Sequence, residues 1–161
     1  MELYHGGVDI IERPDVGFGR EELDFGKGFY LTDIYAQAES WARHVSEDRE
    51  IFPPLINVYS FDKENFLVEA RTRIFEGYSN EWLDFVVRNR LGEKLWQEYD
   101  YIEGSIADDR VLRTVRLYMG GYLTASEALN RLQYERTNNQ ICILNQDLSD
   151  RYLKFKRYIE L

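Results

Sequence analysis

Short runs in which apolar and polar residues alternate recur along the chain and predict β-strands. The first of them, ELYHG (2–6), stops at the consecutive glycines Gly6 and Gly7. Residues 8–24 follow no clear period and are predicted to form a loop. Further strands are predicted at GFYLT (28–32), LINVYSF (55–61), NFLVEA (65–70), YDYIEGSI (99–106), NQICIL (139–144) and RYLKFKRYIEL (151–161).

Between these strands, helical spacing and capping residues predict helices. The order of the elements is neither strict βαβ alternation nor all-β, which predicts an α+β domain with a mixed or antiparallel sheet flanked by helices. At 161 residues, the whole chain (1–161) is predicted to be a single domain. The predicted helices run from a cap at Thr32 or Asp33 to about His44, from a cap at Ser79 or Asn80, from Asp108 to Tyr118, and from the capping box TASE at 124–127.

The charge and the apolar content of the chain limit the classes of partner and the compartment that are expected for it. The formal net charge is −9, which opposes the general attraction between proteins and nucleic acids. The one concentrated basic stretch, RYLKFKRY, carries Lys154, Lys156 and Arg157 and indicates a strand with a solvated basic face. The apolar runs are too short to span a membrane and the N-terminus lacks a secretory layout, so a cytoplasmic protein is expected. The single cysteine, Cys142, lies in an apolar strand and is predicted to be a buried thiol.

The two histidines are candidates for chemistry. His44 lies at a predicted helix end, where it would satisfy free carbonyl groups. His5 ends a strand beside two glycines, where its ring and the bare backbone would face a ligand together. A satisfied core histidine is the alternative for His5.

A second candidate is the segment DFGKGFYLT (24–32), which places Gly26 and Gly28 directly before Tyr30. Glycines let the backbone approach a ligand closely, and the tyrosine ring would then lie against that ligand. A tight turn that leads into a buried strand is the alternative.

Three motifs in this order, LYHGG, GKGFYLT and NNQICIL, resemble the ADP-ribosyltransferase superfamily, and more narrowly its branch with a histidine–tyrosine–glutamate triad. Nearly the whole chain is also similar to a bacterial family of unknown function, DUF3990, in which DFGKGFYLT, WLDFV and NNQIC recur. The resemblance implies an ADP-ribosyltransferase-like split β-sheet core flanked by helices. It also implies that NAD+ lies in the cleft as co-substrate and that no metal is needed.

The resemblance implies a role for each matching residue. His5 would bond a ribose hydroxyl, the Gly6 backbone would hold the nicotinamide amide, and Tyr30 would stack on the nicotinamide ring. Trp41, eleven residues after Tyr30, would be a second stacking aromatic, with a core aromatic of the helix as the alternative. The resemblance also places Gly28 and Thr32 among the residues that would bind NAD+.

The sequence departs from the triad at its last member. Gln140 stands where the family places a glutamate, so its amide can bond a ribose hydroxyl but carries no charge to stabilise a cationic transition state. Asp108, Asp109 or Glu103 would be a substitute carboxylate, although an Asp pair that opens a helix is more commonly a cap. The expected catalytic set is therefore His5, Tyr30, Gln140 and Asp109.

The function implied by the resemblance is that of a mono-ADP-ribosyltransferase acting on a macromolecule. Protein is favoured over nucleic acid as the acceptor because the chain is acidic. Bacterial relatives of the superfamily serve as toxins, which implies an intracellular target and a cognate antitoxin as partner. Two alternatives stay open: a pseudoenzyme that binds NAD+ or ADP-ribose and acts through protein interaction, and an interaction protein without a nucleotide site.

Overall fold

The computed structural model describes all 161 residues, which form strands, helices and connecting loops in a mixed order. None of the helices is both long and apolar enough to cross a membrane. The strands are β1 (Glu2–Gly7), β2 (Phe29–Leu31), β3 (Leu55–Phe61), β4 (Thr72–Ile74), β5 (Tyr101–Gly104), β6 (Gln140–Ile143) and β7 (Leu153–Glu160). The helices are α1 (Tyr35–Arg49), α2 (Lys63–Glu69), α3 (Asn80–Arg90), α4 (Asp109–Met119), α5 (Ala125–Leu132) and α6 (Gln146–Tyr152), with a 3-10 turn at Leu95–Glu98.

The strands form two sheets that meet at a single point. The first sheet has the order β1-β3-β7 and is antiparallel. The second has the order β2-β6-β5-β4, in which only β4 and β5 are parallel. One isolated bridge, between Tyr4 and Thr32, joins β1 to the end of β2 through N–H to O=C bonds of 2.8 and 3.0 Å. The predicted α+β class is confirmed.

Helices cover the two sheets separately. α1 packs on β1 and β3 through its small residues Ala38 and Ala42, which contact Ile56 and Val58. α3, α4 and α5 pack on one another and on the face of the second sheet that carries Ile102. α1 has no comparable packing against α3, α4 or α5, and we call the region between these two helical layers, above the junction of the sheets, the crevice.

The stretch NFLVEA was predicted as a strand, and this prediction is wrong, because it lies in α2. The carboxylate of Asp62 accepts a hydrogen bond from the backbone N–H of Asn65 and so starts a helix. Phe66 is fully buried whereas Val68 is 82% exposed, although residues two apart would share one face of a strand. Helix α6 was also missed, and it takes up the first two residues of the final predicted strand.

The start of α1 differs from the prediction as well. Neither Thr32 nor Asp33 caps the helix; Ile34 occupies the cap position without a side-chain bond. Thr32 instead pairs with Tyr4 in the bridge between the sheets, while its hydroxyl accepts a bond from the N–H of Ile34. The strand therefore holds Thr32, and the helix begins only after the chain has left the sheet.

Candidate functional site

The ladder between β1 and β2 breaks next to His5. Alternate residues of a strand direct their peptide groups to the same side, so those of Gly6 point toward β2 as those of Tyr4 do. No bridge pairs Gly6 with Tyr30, however. The His5 side chain bonds the Tyr30 carbonyl instead, with 2.8 Å between Nδ1 and O. The Gly6 peptide groups therefore face a gap between the two sheets.

The protonation state of His5 follows from the surroundings of its ring. Its ring is partly buried and stacks on Phe29 with centroids 4.6 Å apart. Burial lowers the pKa of His5, and the bond to the Tyr30 carbonyl offsets this only in part, so the ring is neutral at pH 7. Since a carbonyl only accepts, Nδ1 carries the proton, and Nε2 is left as an acceptor for a ligand hydroxyl.

Gly6 lies directly beneath α1. A Cβ atom at this position would stand 2.2 Å from the carbonyl oxygen of Ala38 and 2.9 Å from the backbone nitrogen of Ala42. Only a glycine allows the helix to sit this close to β1. At Gly7 the nearest atom to such a Cβ would be the His5 ring nitrogen at 3.7 Å, so only the first glycine of the pair is required by packing.

Tyr30 is held by the loop that precedes it. Its hydroxyl donates to the carbonyl of Gly26 at 2.7 Å and accepts from the N–H of Phe25 at 3.2 Å. Burial raises the pKa of Tyr30 well above its ordinary value, so the phenol stays protonated and keeps both bonds. The ring is only partly buried, and it lies on the crevice side of β2.

The two glycines before Tyr30 both have packing reasons. Gly26 has a φ of +81°, and a Cβ atom there would stand 2.0 Å from the Trp96 ring. A Cβ atom on Gly28 would stand 2.5 Å from the Cys142 sulfur, because this residue packs against β6. These contacts support the interpretation as a tight turn, and the contact of Gly28 with a ligand stays a prediction.

Gln140 lies on the same side of the second sheet as Tyr30. Tyr30 pairs with Cys142, two residues after Gln140, and side chains two apart share a face. Gln140 and Thr32 each adjoin the last bridged pair of these strands, and both side chains are buried. The Gln140 amide nitrogen donates to the Ser105 carbonyl at 3.3 Å. The structure thus brings Gly6, Tyr30, Thr32 and Gln140 to the floor of the crevice.

The candidate substitute carboxylates do not join this floor. Asp108 caps α4 by accepting from the N–H groups of Arg110 and Val111, as the cap interpretation predicted. Asp109 is exposed in the first turn of α4. Glu103 pairs with Ile141, the neighbour of Gln140, and therefore points to the opposite side of the sheet.

Glu103 anchors a polar network at that opposite face. Burial alone would raise its pKa, but hydrogen bonds from Lys63 at 2.8 Å, Tyr101 at 2.5 Å and Asn139 at 3.1 Å outweigh burial, and the pKa is lowered. The Asn139 backbone in turn exchanges two bonds with the side chain of Gln37 on α1, at 2.7 and 3.0 Å. This network ties α1 to β6 at one end of the crevice.

Trp41 lies on the outside of α1, one turn beyond Gln37. It is 57% exposed, so the interpretation as a core aromatic is wrong. The helix contacts the sheet through alanines, which leave no room for an indole ring. The ring lies 5.5 Å from that of His44, which is also exposed. Stacking on a ligand stays a prediction for Trp41.

Sequence reasoning missed a buried ion pair beside Gln140. Asp24 is 8% exposed, and its carboxylate accepts bonds from the Arg90 guanidinium, at 2.7 Å from Nε, and from the Ala107 N–H at 3.3 Å. Burial raises the pKa of Asp24, while Arg90 and the hydrogen bonds, including one from Gln140, lower it. The sequence signal was an Asp before an aromatic–glycine turn, but only the fold supplies Arg90 as its partner.

A comparison with protein families supports one assignment. The model of the family described as "Protein of unknown function (DUF3990)" matches residues 1–155. The chain belongs to this family. No curated protein and no solved structure matches the chain.

The donor set of this DUF3990 protein limits its chemistry. No group of three or more His, Cys, Asp or Glu side chains lies close enough together to hold a metal ion. Cys142 is fully buried and burial raises the pKa of its thiol, which confirms the prediction of a buried thiol and leaves no thiolate nucleophile at neutral pH. What remains around the break between the sheets is a neutral imidazole, peptide groups, a phenol ring and an amide, which suit a planar amide and sugar hydroxyls.

Proposed function

We propose that this protein is an NAD+-dependent mono-ADP-ribosyltransferase. The observation that carries the proposal is the break between the sheets, where the Gly6 backbone is unpaired on the β2 side, the His5 ring bonds the Tyr30 carbonyl and the Tyr30 ring lies on the crevice side. The motifs LYHGG and GKGFYLT, which resemble those of the superfamily, lie at this break. We place the dinucleotide between α1 and the other helices.

We assign the roles from the family resemblance. The Gly6 peptide groups pair with the nicotinamide carboxamide, and the Tyr30 ring packs on the pyridinium ring. The Nε2 atom of His5 accepts a bond from a ribose hydroxyl. In the reaction the bond between nicotinamide and the ribose C1 atom breaks, nicotinamide leaves with the electron pair, and an acceptor oxygen or nitrogen bonds C1 and releases its proton to water. These contacts favour the bent substrate in which the leaving group is ready to depart.

Gln140 favours a second candidate function, that of a pseudoenzyme that binds NAD+ without cleaving it. Its amide is uncharged and already bonds the Ser105 carbonyl, and Glu103 faces away. A missing electrostatic contact to the developing charge costs about 10² to 10³ in rate. A slow transferase and a binding module therefore differ in the rate of nicotinamide release.

The first experiment measures nicotinamide release from NAD+, with a cell lysate as the source of acceptor. We expect release by the wild type and its loss in His5→Ala and Tyr30→Ala. Matched controls are His44→Ala and Tyr158→Ala, which remove the same side chains at exposed positions. Equal losses in the controls, or no release and no thermal shift with NAD+, would refute the site.

A second experiment separates the two candidates. Gln140→Glu restores a carboxylate at the crevice and should raise nicotinamide release by roughly 10²-fold or more if the missing charge limits the reaction. Binding of NAD+ to the wild type without release, followed by release from Q140E, would assign the natural chain to the pseudoenzyme class. No gain in Q140E, with the fold intact, would contradict the assignment of Gln140.

The biological role we propose is that of an intracellular toxin restrained by a cognate antitoxin. Expression of the wild type should then slow growth of a bacterial host, and His5→Ala should relieve this. Equal growth inhibition by His5→Ala would contradict the toxin role.

A further inference from the structure

None of the five arginines of the α4–α5 region has an ionic partner. Of the ten arginines elsewhere, seven form ion pairs. Residues 105–137 carry five arginines against four acidic residues, a net charge of +1 in a chain of net charge −9. All five are exposed, and none forms an ion pair or a side-chain hydrogen bond. They are Arg110, Arg113, Arg116, Arg131 and Arg136.

Three of these arginines form a stripe on α4. Arg110, Arg113 and Arg116 are three residues apart, so they extend over roughly 9 Å along one side of the helix. Arg113 and Arg116 line a surface cavity of about 460 Å³ together with Tyr122, whose side chain is 80% exposed. We call these four residues the α4 arginine face. Asp109 also lines the cavity and is its one acidic group.

The basic stretch RYLKFKRY on β7 differs from this face in having bonding partners within the protein. Lys156 and Arg157 on β7 both bond the carboxylate of Glu2, at 2.7 and 3.2 Å, and these bonds lower the Glu2 pKa to about 2. Lys154 bonds the Asp150 carbonyl. Two of the three cations of that strip thus share a carboxylate within the protein, whereas the arginines of the α4 arginine face form no ion pair.

We infer that the α4 arginine face binds single-stranded nucleic acid. Evenly spaced guanidinium groups fit a polymer with evenly spaced phosphates, and an exposed tyrosine in the same cavity offers a surface on which a base can stack. A second exposed tyrosine, Tyr134 at 84% exposure, follows α5, which packs on α4. An acidic peptide would satisfy the arginines but would leave the tyrosine faces without a planar partner.

The position of this face connects it with the crevice. The segment that carries α4 and α5 leaves the sheet at Gly104 and returns at Gln140, and these two residues are paired. A nucleic acid on the α4 arginine face is therefore held by a segment with both ends at the candidate site. The use of this nucleic acid as an ADP-ribose acceptor rests on the proposed function, but the binding of the nucleic acid does not.

The test measures binding of a fluorescent single-stranded oligonucleotide by anisotropy, without NAD+, at several salt concentrations. We expect a dissociation constant of about 10⁻⁶ to 10⁻⁴ M at physiological salt. The double variant R113Q/R116Q should bind at least roughly tenfold more weakly at low salt. Its slope of log K against log salt should be smaller by about 1.4, since each lost phosphate contact contributes about 0.7. Tyr122→Leu should weaken binding with little change in this slope.

The matched control is K154Q/K156Q, which removes the same charge from β7 and should leave binding nearly unchanged. Equal weakening of oligonucleotide binding in both double variants would show that binding depends only on net charge and would overturn the inference. So would equal affinity for a duplex of the same sequence, effective competition by polyglutamate, or no binding at low salt. Because NAD+ is absent, nicotinamide release and oligonucleotide binding can fail independently. Thermal melting of each variant establishes that it is folded.

Discussion

The two adjacent glycines of β1 are predicted to differ sharply in their tolerance of a methyl group. In Gly6→Ala the new Cβ would stand 2.2 Å from the Ala38 carbonyl oxygen and 2.9 Å from the Ala42 nitrogen. Both obstacles are helix backbone, which cannot rotate away as a side chain does. To reach an ordinary contact distance of roughly 3.5 Å, α1 would have to move by more than about 1 Å.

The cost of this movement can be bounded from the packing. α1 is seated on β3 by Ala38 and Ala42 against Ile56 and Val58, so lifting the helix opens this small cluster. Overpacking a well-packed site costs about 1 to 3 kcal/mol, and we expect Gly6→Ala to lie near the upper end because backbone must shift. For a chain of this length, about 3 kcal/mol lowers Tm by roughly 6 to 12 °C.

Gly7→Ala is the matched control. Its Cβ would have only ordinary contacts, the nearest at 3.7 Å, and Gly7 does not lie in the left-handed region. Alanine restricts the unfolded chain more than glycine does, so we expect no loss of stability and a gain of up to about 1 kcal/mol. The assays are thermal and urea unfolding of the two variants and the wild type. Equal stabilities of G6A and G7A would refute the packing account of Gly6.

Three further predictions concern buried groups. The pKa of His5 is lowered by burial, so the unfolded chain binds more protons below about pH 6.5 and stability should fall there by up to about 1.4 kcal/mol per pH unit. Urea unfolding at about pH 7.5 and 5.5 should show a smaller fall for His5→Gln; an equal fall would contradict this. Asp24→Asn leaves the Arg90 guanidinium without its counter-ion and should lower the free energy of unfolding by roughly 3 kcal/mol. The control Glu39→Gln, in an exposed pair, should lower it by less than about 1 kcal/mol, and equal losses in the two variants would contradict the prediction. Cys142 is fully buried, so a thiol reagent should modify it only after unfolding, and stoichiometric labelling of the native protein would contradict this.

Local patterns determined most of the elements of the fold. The alternation in LINVYSF coincides with β3, and the capping signals at Ser79 and in TASE coincide with the starts of α3 and α5. These elements follow from contacts within a few residues, namely the period of the side chains and the bonds of the cap. The prediction failed at NFLVEA, where a local cap by Asp62 overrode a strand-like composition.

The sequence also determined which residues are candidates for the site, because glycines, histidines and aromatics in LYHGG and GKGFYLT have uncommon chemistry. Only the tertiary structure decided their arrangement. The position of α1 leaves no space for a Cβ atom on Gly6 but leaves space for one on Gly7. Gln140 lies on the crevice side of its sheet and Glu103 on the opposite side, and Trp41 is exposed. The tertiary structure also paired Lys156 and Arg157 of the basic β7 strip with Glu2 and left the arginines of α4 unpaired. Such outcomes depend on residues far apart in the chain, such as Glu2 and Lys156, whose proximity no local pattern encodes.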